Sequence, residues 1–231
     1  MKELNLYSQI EQDLGFGDEI AKLYDAYTLL INQIQPSSII DIGCGQGDFL
    51  LKFQDSPINT FGIDLSSEQI KVCKKKKLNA SCIDICKVKE NFSCATAMFD
   101  VLNYINEEAL NSFIKGTYDV LNEDGYFIFD INTLFGFEEV AVGSLNINKE
   151  DKFIGIDANF EEDKLITNII LFEKLKNNSY TKKEENITQY YHSKEFLEDL
   201  LKDIGFSIEN IINFKLHDDE NADKFIFICT K

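Results

Sequence analysis

The chain has 231 residues, a formal net charge of −17 and an apolar share of 44%, which predict a globular domain with a buried core, alone or with an added lobe. A chain this acidic repels phosphate backbones and anionic membranes, which disfavours nucleic acid and lipid as partners. All 23 basic residues are lysine, so no guanidinium is available for bidentate phosphate contacts, and a small molecule is the expected partner.

The first 131 residues begin with helices and continue with alternating strands and helices. Residues 1–35 are predicted to be helical, because apolar residues recur there at helical spacing until Pro36. No stretch in residues 1–13 is typical of a signal peptide. The predicted strands are 38–42, 60–65, 80–85, 94–99 and 126–131, and helices follow the first, second and fourth of them. This alternation predicts a doubly wound α/β fold.

The pattern changes after residue 150. Three successive strands are predicted at 152–160, 164–173 and 180–192, joined by turn-like segments that indicate an antiparallel lobe. A helix then begins after Ser193 and ends at Gly205, followed by strands at 206–214 and 224–230. We expect a core of residues 1–145 and 193–231, and an inserted lobe of residues 146–192 over the substrate site.

The cysteines and histidines give little support for a metal site. The six cysteines are expected to be reduced thiols in a chain without an export signal, and the predicted location is the cytoplasm. Cys82 and Cys86 form an isolated C-x-x-x-C pair, and both histidines lie far from it in sequence. No metal is therefore predicted.

A glycine-rich turn carries the main functional signal. Gly43, Gly45 and Gly47 follow a strand and precede a helix, an arrangement that lets a ligand approach the backbone. Asp64 ends the second strand, where an acid can accept hydrogen bonds from ribose hydroxyls. The dinucleotide fingerprint G-x-G-x-x-G requires a glycine where this chain has Asp48. The spacing therefore disfavours a dinucleotide.

With Asp41 the turn reads D-x-G-x-G-x-G, which resembles the class I S-adenosylmethionine (SAM)-dependent methyltransferases. The sequence LNEDGYFIFDIN (121–132) is similar to the fifth-strand signature of that family. The antiparallel insertion and the final helix–GF–strand–strand order resemble a subgroup that includes amino-sugar nucleotide N-methyltransferases. The resemblance implies a Rossmann-like, mostly parallel seven-stranded sheet with one reversed strand, plus a small antiparallel β lobe.

The resemblance also implies the cofactor and its site. SAM would bind and S-adenosylhomocysteine (SAH) would leave, with Asp64 at the ribose, Asp84 at the adenine amino group and Cys44 contributing its backbone. Tyr7, Lys22 and Tyr24 are alternatives for the cofactor carboxylate, of which Tyr24 is included in the predicted set. The predicted cofactor-binding residues are Asp41, Gly43, Cys44, Gly45, Gly47, Asp64, Leu65, Asp84, Ile85, Met98, Phe99 and Tyr24.

The methyl group of SAM is already activated, so the protein mainly has to hold an acceptor atom in line with the S–CH3 bond. The predicted acceptor is an amine or hydroxyl of a small metabolite, for which a sugar nucleotide is one candidate. Asp130, His192 and Tyr104 are the catalytic candidates, because acid–base groups near the carboxyl ends of the strands could accept a proton. A histidine after a strand is more often structural than catalytic.

Two alternative functions and one possible assembly stay open from the sequence. The chain could be a non-catalytic SAM-binding module, or, against the glycine spacing, an NAD(P)-binding oxidoreductase. An exposed strand edge of the lobe could pair with a second copy, which would give a homodimer.

Overall fold

Two β-sheets organise the part of the chain that the computed structural model describes, residues 4–217 and 220–231. In chain order the strands are β1 (Ser38–Ile42), β2 (Asn59–Asp64), β3 (Ala80–Cys82), β4 (Phe92–Ala97), β5 (Leu121–Asn132), β6 (Gly143–Asn148), β7 (Lys152–Glu161), β8 (Lys164–Lys174), β9 (Tyr180–Tyr190), β10 (Ser207–Phe214) and β11 (Lys224–Thr230). The α-helices are α1 (Leu4–Ile10), α2 (Gly17–Ile34), α3 (Asp48–Leu51), α4 (Ser67–Lys75), α5 (Glu107–Asp119) and α6 (Lys194–Ile204). Short 3₁₀ helices span Glu11–Asp13, Ile85–Lys87 and Val101–Tyr104, and a π-helix spans Gly136–Val140.

The larger sheet has seven strands in the order β10-β11-β5-β4-β1-β2-β3. Neighbours from β5 to β3 are parallel, whereas β11 is antiparallel to both β5 and β10. The predicted fold of a mostly parallel seven-stranded sheet with one reversed strand is thereby confirmed. Because parallel strands bring their carboxyl ends to one edge, β1, β2 and β4 end side by side there.

The central strand β1 is buried on both faces. Ile40 and Ile42 face an apolar cluster that includes residues of α5 and α6, whereas Ile39 faces a cluster with residues of α2 and α3. A near-continuous apolar run is what a parallel strand between two helix layers requires. At the starts of α4 and α6, the Ser66 and Ser193 hydroxyls accept the N–H groups of residues three positions later, as the sequence predicted.

The smaller sheet is antiparallel and has four strands in the order β6-β7-β8-β9, one more than predicted. The missing strand was β6, whose sequence GSLNIN is polar and mostly exposed, so it lacks the apolar alternation of a half-buried strand. The third predicted strand of the larger sheet is also shorter than expected. It ends at Cys82, because Asp84 caps the 3₁₀ helix that follows.

The N-terminal segment packs against the smaller sheet. Leu6, Ile10 and Leu14 form an apolar cluster with residues of β7, β8 and β9. Asp13 forms ion pairs with Lys149 and Lys152. The expected helical segment 1–35 is therefore two α-helices joined by a 3₁₀ turn, and its residues 1–3 lie outside the described part of the chain. No helix within the described residues is long and apolar enough to cross a membrane.

We expect Ile10→Ala to lower the free energy of unfolding by about 2–4 kcal/mol, because Ile10 is fully buried between α1 and the smaller sheet. Urea denaturation measures the change. Leu29→Ala on α2 is the matched control, since Leu29 is 64% exposed and its loss should cost less than about 0.5 kcal/mol. Equal stabilities of the two variants would show that α1 is not packed as described.

Candidate functional site

The glycine-rich loop between β1 and α3 contains three left-handed residues. Gly43, Gly45 and Gly47 have φ angles of +76°, +52° and +81°, which glycine adopts without the steric cost of a side chain. The N–H groups of Gly43 and Cys44 both donate to the carbonyl of Ile63 in β2, at 2.8 and 3.0 Å. These bonds fix the loop across the carboxyl ends of β1 and β2.

The three glycines differ in what lies where a Cβ would project. A Cβ at Gly43 would come within 2.7 Å of Val101, and one at Gly47 would overlap Leu78. At Gly45 no atom of the described residues lies within 4 Å of that position. Gly43 and Gly47 are therefore needed so that neighbouring side chains can pack closely against the loop. Gly45 instead leaves an open stretch of backbone that a ligand can approach.

Asp64 lies beside Gly45 at the end of β2. Its Oδ1 accepts a hydrogen bond from the Ser66 N–H at 2.7 Å, and its Oδ2 accepts one from the Gly45 N–H at 3.1 Å. Burial raises the pKa of the Asp64 carboxyl, and the two N–H donors oppose that rise. A half-buried carboxylate at this edge can accept hydrogen bonds from the two hydroxyls of a ribose.

Three further predicted residues follow β2 and β3 at the same edge. The Asp84 Oδ1 accepts the N–H of Cys86 at 2.8 Å, which leaves its other oxygen for a ligand. Leu65 is 45% exposed and available as an apolar surface. The side chain of Ile85 is instead buried in the core, so only its backbone could meet a ligand there.

Two predicted residues turn their side chains into the protein. Cys44 packs against Ile70 and Cys73 of α4, and Met98 packs in the apolar cluster that includes residues of α2. Each can offer a ligand little besides backbone atoms. The six cysteines are all free, and within residues 4–217 and 220–231 no three His, Cys, Asp or Glu side chains are grouped to hold a metal ion.

Tyr24 connects α2 with α3, the helix that follows the glycine loop, and with the turn after β4. Its ring stacks on Phe49 at a centroid distance of 5.8 Å and meets Phe99 edge-on at 5.2 Å. Burial raises the pKa of Tyr24, and the charges of Asp41 and Asp48 raise it further. The hydroxyl is therefore protonated at neutral pH and can donate a hydrogen bond to an anionic group.

Tyr7 of α1 and Tyr104 of the 3₁₀ helix after β4 are half-buried and pack against the same apolar cluster. Burial raises the pKa of both phenols, and the carboxylates of Glu11 and Asp100 add to the rise. Both phenols are protonated at neutral pH, so they can donate a hydrogen bond but cannot act as a base. The role open to Tyr104 is therefore that of a hydrogen-bond donor. Lys22 lies elsewhere, with its Nζ donating to a backbone carbonyl at 3.1 Å in an exposed position.

Asp41 lies beneath the loop rather than on its open side. It is 2% exposed, and its Oδ1 accepts a hydrogen bond from the Thr96 hydroxyl at 2.8 Å. Burial raises the pKa of the Asp41 carboxyl to about 7, against the opposing effect of Thr96. The predicted cofactor residue is thus a buried support, partly protonated at neutral pH.

Asp130 is the centre of a buried polar network. Its Oδ1 accepts hydrogen bonds from the Tyr27 hydroxyl and the Phe99 N–H, both at 2.9 Å. Its Oδ2 accepts the Asp100 N–H at 3.2 Å and pairs with the Lys224 Nζ at 3.1 Å. The residue has no exposed surface, so its carboxylate cannot reach an acceptor molecule. This environment favours a positioning role for Asp130 over the role of catalytic base expected from the sequence.

Lys224 belongs to this network and was missed from the sequence. The antiparallel pairing of β11 with β5 places it opposite Asn132, and its Nζ contacts Asp100, Asp130 and the Asn132 Oδ1. Burial alone would lower the pKa of Lys224, but the two carboxylates raise it above its usual value. The sequence did hold one signal for Lys224, which is the first residue of the otherwise apolar strand KFIFICT. A lysine buried with such a strand needs a partner of opposite charge.

His192 holds the backbone of the turn after β4. Its Nε2 contacts the carbonyls of Leu102 at 3.2 Å and Ile105 at 2.9 Å, and because carbonyls only accept, Nε2 carries the proton. Burial lowers the pKa of His192, so the ring is neutral, and its Nδ1 is buried without a partner among the described residues. His192 is 1% exposed, which favours a structural role over the direct catalytic role expected from the sequence.

The fold and this site together define a class I SAM-dependent methyltransferase. A family model described as a methyltransferase domain matches residues 16–211, and the chain belongs to that family. The resemblance inferred from D-x-G-x-G-x-G is therefore confirmed, and SAM is the cofactor. The open backbone at Gly45 and the carboxylate of Asp64 fit a ligand with an adenosyl group.

Similar proteins agree with the family. The chain is 23% identical over 202 residues to YqeM of Bacillus subtilis (strain 168), which is named as a methyltransferase, and the match covers 81% of each protein. A SAM-dependent methyltransferase from Clostridium acetobutylicum superposes with a TM-score of 0.78 at 21% identity, covering 99% of this chain and 97% of that one. DesVI from Streptomyces venezuelae superposes with a TM-score of 0.76 at 15% identity, covering 96% and 97%. At 21% and 15% sequence identity, these superpositions establish a shared fold and nothing further.

Lys224→Met is expected to lower the free energy of unfolding by about 3–5 kcal/mol, because it leaves the buried Asp130 and the partly exposed Asp100 without their cation. Urea denaturation at neutral pH measures the loss. Lys71→Met is the control, since Lys71 forms an exposed ion pair with Glu68 that should contribute less than about 1 kcal/mol. A Lys224→Met protein as stable as the parent would contradict the network.

Asp41 should make stability fall as pH rises. Its pKa increases from a usual 3.8 to about 7 on folding, so its favourable contribution is complete below pH 4 and lost as pH approaches 7. Asp41→Asn removes this dependence, and the stability difference between variant and parent should grow in favour of the variant by about 4 kcal/mol between pH 4 and pH 8. Denaturation across that range, with exposed Asp119→Asn as control, measures it. Parallel profiles for variant and parent would contradict the assignment.

Proposed function

We propose that this SAM-dependent methyltransferase moves a methyl group to an amine or hydroxyl of a small metabolite, with a sugar nucleotide as the first acceptor class to test. The observation that carries the proposal is the open backbone at Gly45 next to Asp64. It offers a place for an adenosyl cofactor at the sheet edge where Tyr7, Tyr104 and Asp100 also come together.

The cofactor assignment follows the order of the strands. Gly45 would contact the methionine part of SAM through its backbone, Asp64 would accept the ribose hydroxyls, and Asp84 would accept the adenine amino group. Tyr24 is favoured over Lys22 for the cofactor carboxylate, because its protonated hydroxyl belongs to the half-buried aromatic group beside the loop.

The remaining predicted cofactor residues act through packing or backbone. Leu65 and Phe99 would add apolar surface, whereas Gly43 and Gly47 shape the loop. Asp41 supports the loop from below through its hydrogen bond with Thr96.

The acceptor would bind between the cofactor, α1 and the smaller sheet. The Ser66 hydroxyl donates to the Asn5 Oδ1 at 3.1 Å, so α1 reaches from the smaller sheet to the Asp64 edge. The Asn103 amide donates to the Tyr190 carbonyl at 2.8 Å, which joins the turn after β4 to β9. These contacts support the proposal that residues 146–192 close over a small acceptor.

SAM supplies an activated methyl group, so the chain's own contribution is to hold the acceptor in line and exclude water. Tyr7 and Tyr104 would orient the acceptor by donating hydrogen bonds, since both phenols stay protonated. Asp130 and His192 would act indirectly, by holding the turn from Phe99 to Ile105 in place.

Solved structures of similar fold support the acceptor class. CalS10 from Micromonospora echinaspora is described as an amino pentose methyltransferase, and KedS8 from Streptoalloteichus is described as a sugar N-methyltransferase. They superpose with TM-scores of 0.73 and 0.75 and cover 98% and 97% of this chain. These two proteins support the acceptor class alone.

The six free cysteines further support the cytoplasm as the place of the reaction.

The two other functions considered from the sequence have less support. Membership of the methyltransferase family opposes an NAD(P)-binding oxidoreductase, and it favours an enzyme over a non-catalytic SAM-binding module.

We expect calorimetry to show that the purified protein binds SAM and SAH with Kd on the order of 1–100 μM, without measurable binding of NAD. Gly45→Ala should weaken SAM binding at least about tenfold, because the new Cβ occupies the space left for the cofactor. Methyl transfer to an amino-sugar nucleotide, compared with the same nucleotide lacking the amine, then tests the acceptor class by mass spectrometry.

Gly15→Ala is the matched control for that experiment. Gly15 also has a left-handed φ, +82°, and also has open space where a Cβ would project, but it lies between α1 and α2. Its backbone strain is similar, so a specific loss at Gly45 identifies cofactor contact rather than loop distortion. Equal effects of the two substitutions would show that Gly45 does not face the cofactor.

A further inference from the structure

Lys224 joins two carboxylates that differ in access to solvent. The side chain of Asp130 has no exposed surface, whereas that of Asp100 is 18% exposed. Both are paired with the same lysine, so the three groups carry a net charge of −1 when all are ionised. Asp100 is the carboxylate of this group that an acceptor molecule can contact.

The backbone brings Asp100 to this position by a costly turn. Phe99 and Asp100 follow β4 with φ angles of +58° and +62°, a left-handed conformation that is unfavourable for residues other than glycine. Their N–H groups both donate to Asp130, which holds the turn. Strain kept in place by a buried carboxylate is typical of functional sites.

The surroundings of Asp100 suit a cation. Tyr7 and Tyr104 lie within electrostatic range of its carboxylate, and the next residue, Val101, fills the space beside Gly43 in the cofactor loop. Aromatic rings attract ammonium groups through their faces. Asp100 therefore precedes a residue that contacts the cofactor loop, and its charge acts on two phenols.

We propose that Asp100 binds the acceptor as an ammonium ion, takes one of its protons so that a neutral amine is left for methyl transfer, and thereby selects amines over alcohols. This inference rests on the proposed function and extends it by naming the residue that recognises the acceptor. Lys224 is the positioning residue, because it fixes the Asp100 carboxylate from behind while Asp130 fixes the backbone. Burial raises the pKa of Asp100 to about 6, with Lys224 opposing and Asp130 adding to the rise, so the carboxylate is ionised at pH 8 and largely protonated at pH 5.

The test uses the full chain loaded with SAH and two matched ring probes, cyclohexylammonium and cyclohexanol, titrated by calorimetry at pH 8. The parent should bind the ammonium roughly tenfold to a hundredfold tighter than the alcohol, the range expected for a hydrogen bond to a charged group. Asp100→Asn should abolish this preference while leaving SAH affinity within about threefold. Asparagine tolerates left-handed backbone, so the turn should survive the substitution.

Two controls make the result specific. Glu11→Gln removes another carboxylate near Tyr7 and Tyr104 and should leave the preference within about threefold of the parent. Lowering the pH from 8 to 5 should reduce the preference in the parent, because Asp100 becomes protonated while the ammonium probe keeps its charge.

The possible outcomes separate this inference from the proposed function. Retention of the preference in Asp100→Asn, or its loss in Glu11→Gln, overturns the assignment to Asp100. A parent that binds SAH but prefers neither probe also overturns it, and leaves the cofactor site intact. A parent that does not bind SAH overturns the proposed function and this inference together.

Discussion

The arrangement of the site depends on one buried carboxylate, that of Asp130. It accepts hydrogen bonds from the Tyr27 hydroxyl of α2 and from the N–H groups of Phe99 and Asp100 after β4. It also forms an ion pair with Lys224 of β11. Three separate segments of the chain therefore meet at the two carboxylate oxygens of a residue on a fourth, β5. Because the left-handed turn after β4 is unfavourable on its own, the shape of this sheet edge follows from these bonds.

Burying three charges together is expensive, and such a cluster rarely increases stability over an apolar core of the same shape. Its retention is better explained by what it positions. Lys224 supplies one positive charge for two carboxylates, so the cluster keeps a net negative charge when all three groups are ionised, and the Asp100 carboxylate is partly exposed. An apolar replacement could fill the volume but could not present a partly exposed carboxylate at this edge of the sheet.

The fold could be predicted from the sequence because its signals are local. Alternating strands and helices, the cap at Ser66 and the glycine spacing from Gly43 to Gly47 all lie within short segments. β6 could not be predicted, because its polar residues pair only with β7 and carry no apolar alternation. Lys224 could not be placed either, since its partners lie far away in sequence and meet it only through the reversed strand.

The same limit explains why the sequence alone could not separate Asp130, a predicted catalytic base, from Asp100. Both lie at the carboxyl ends of neighbouring parallel strands, so their positions in the pattern are nearly equivalent. What separates them is which backbone amides each carboxylate satisfies. Asp130 accepts hydrogen bonds from two N–H groups and a hydroxyl, so neither of its oxygens is left for a substrate. Asp100 owes its partial exposure to those bonds, so the two acids have complementary roles that only the three-dimensional pairing defines.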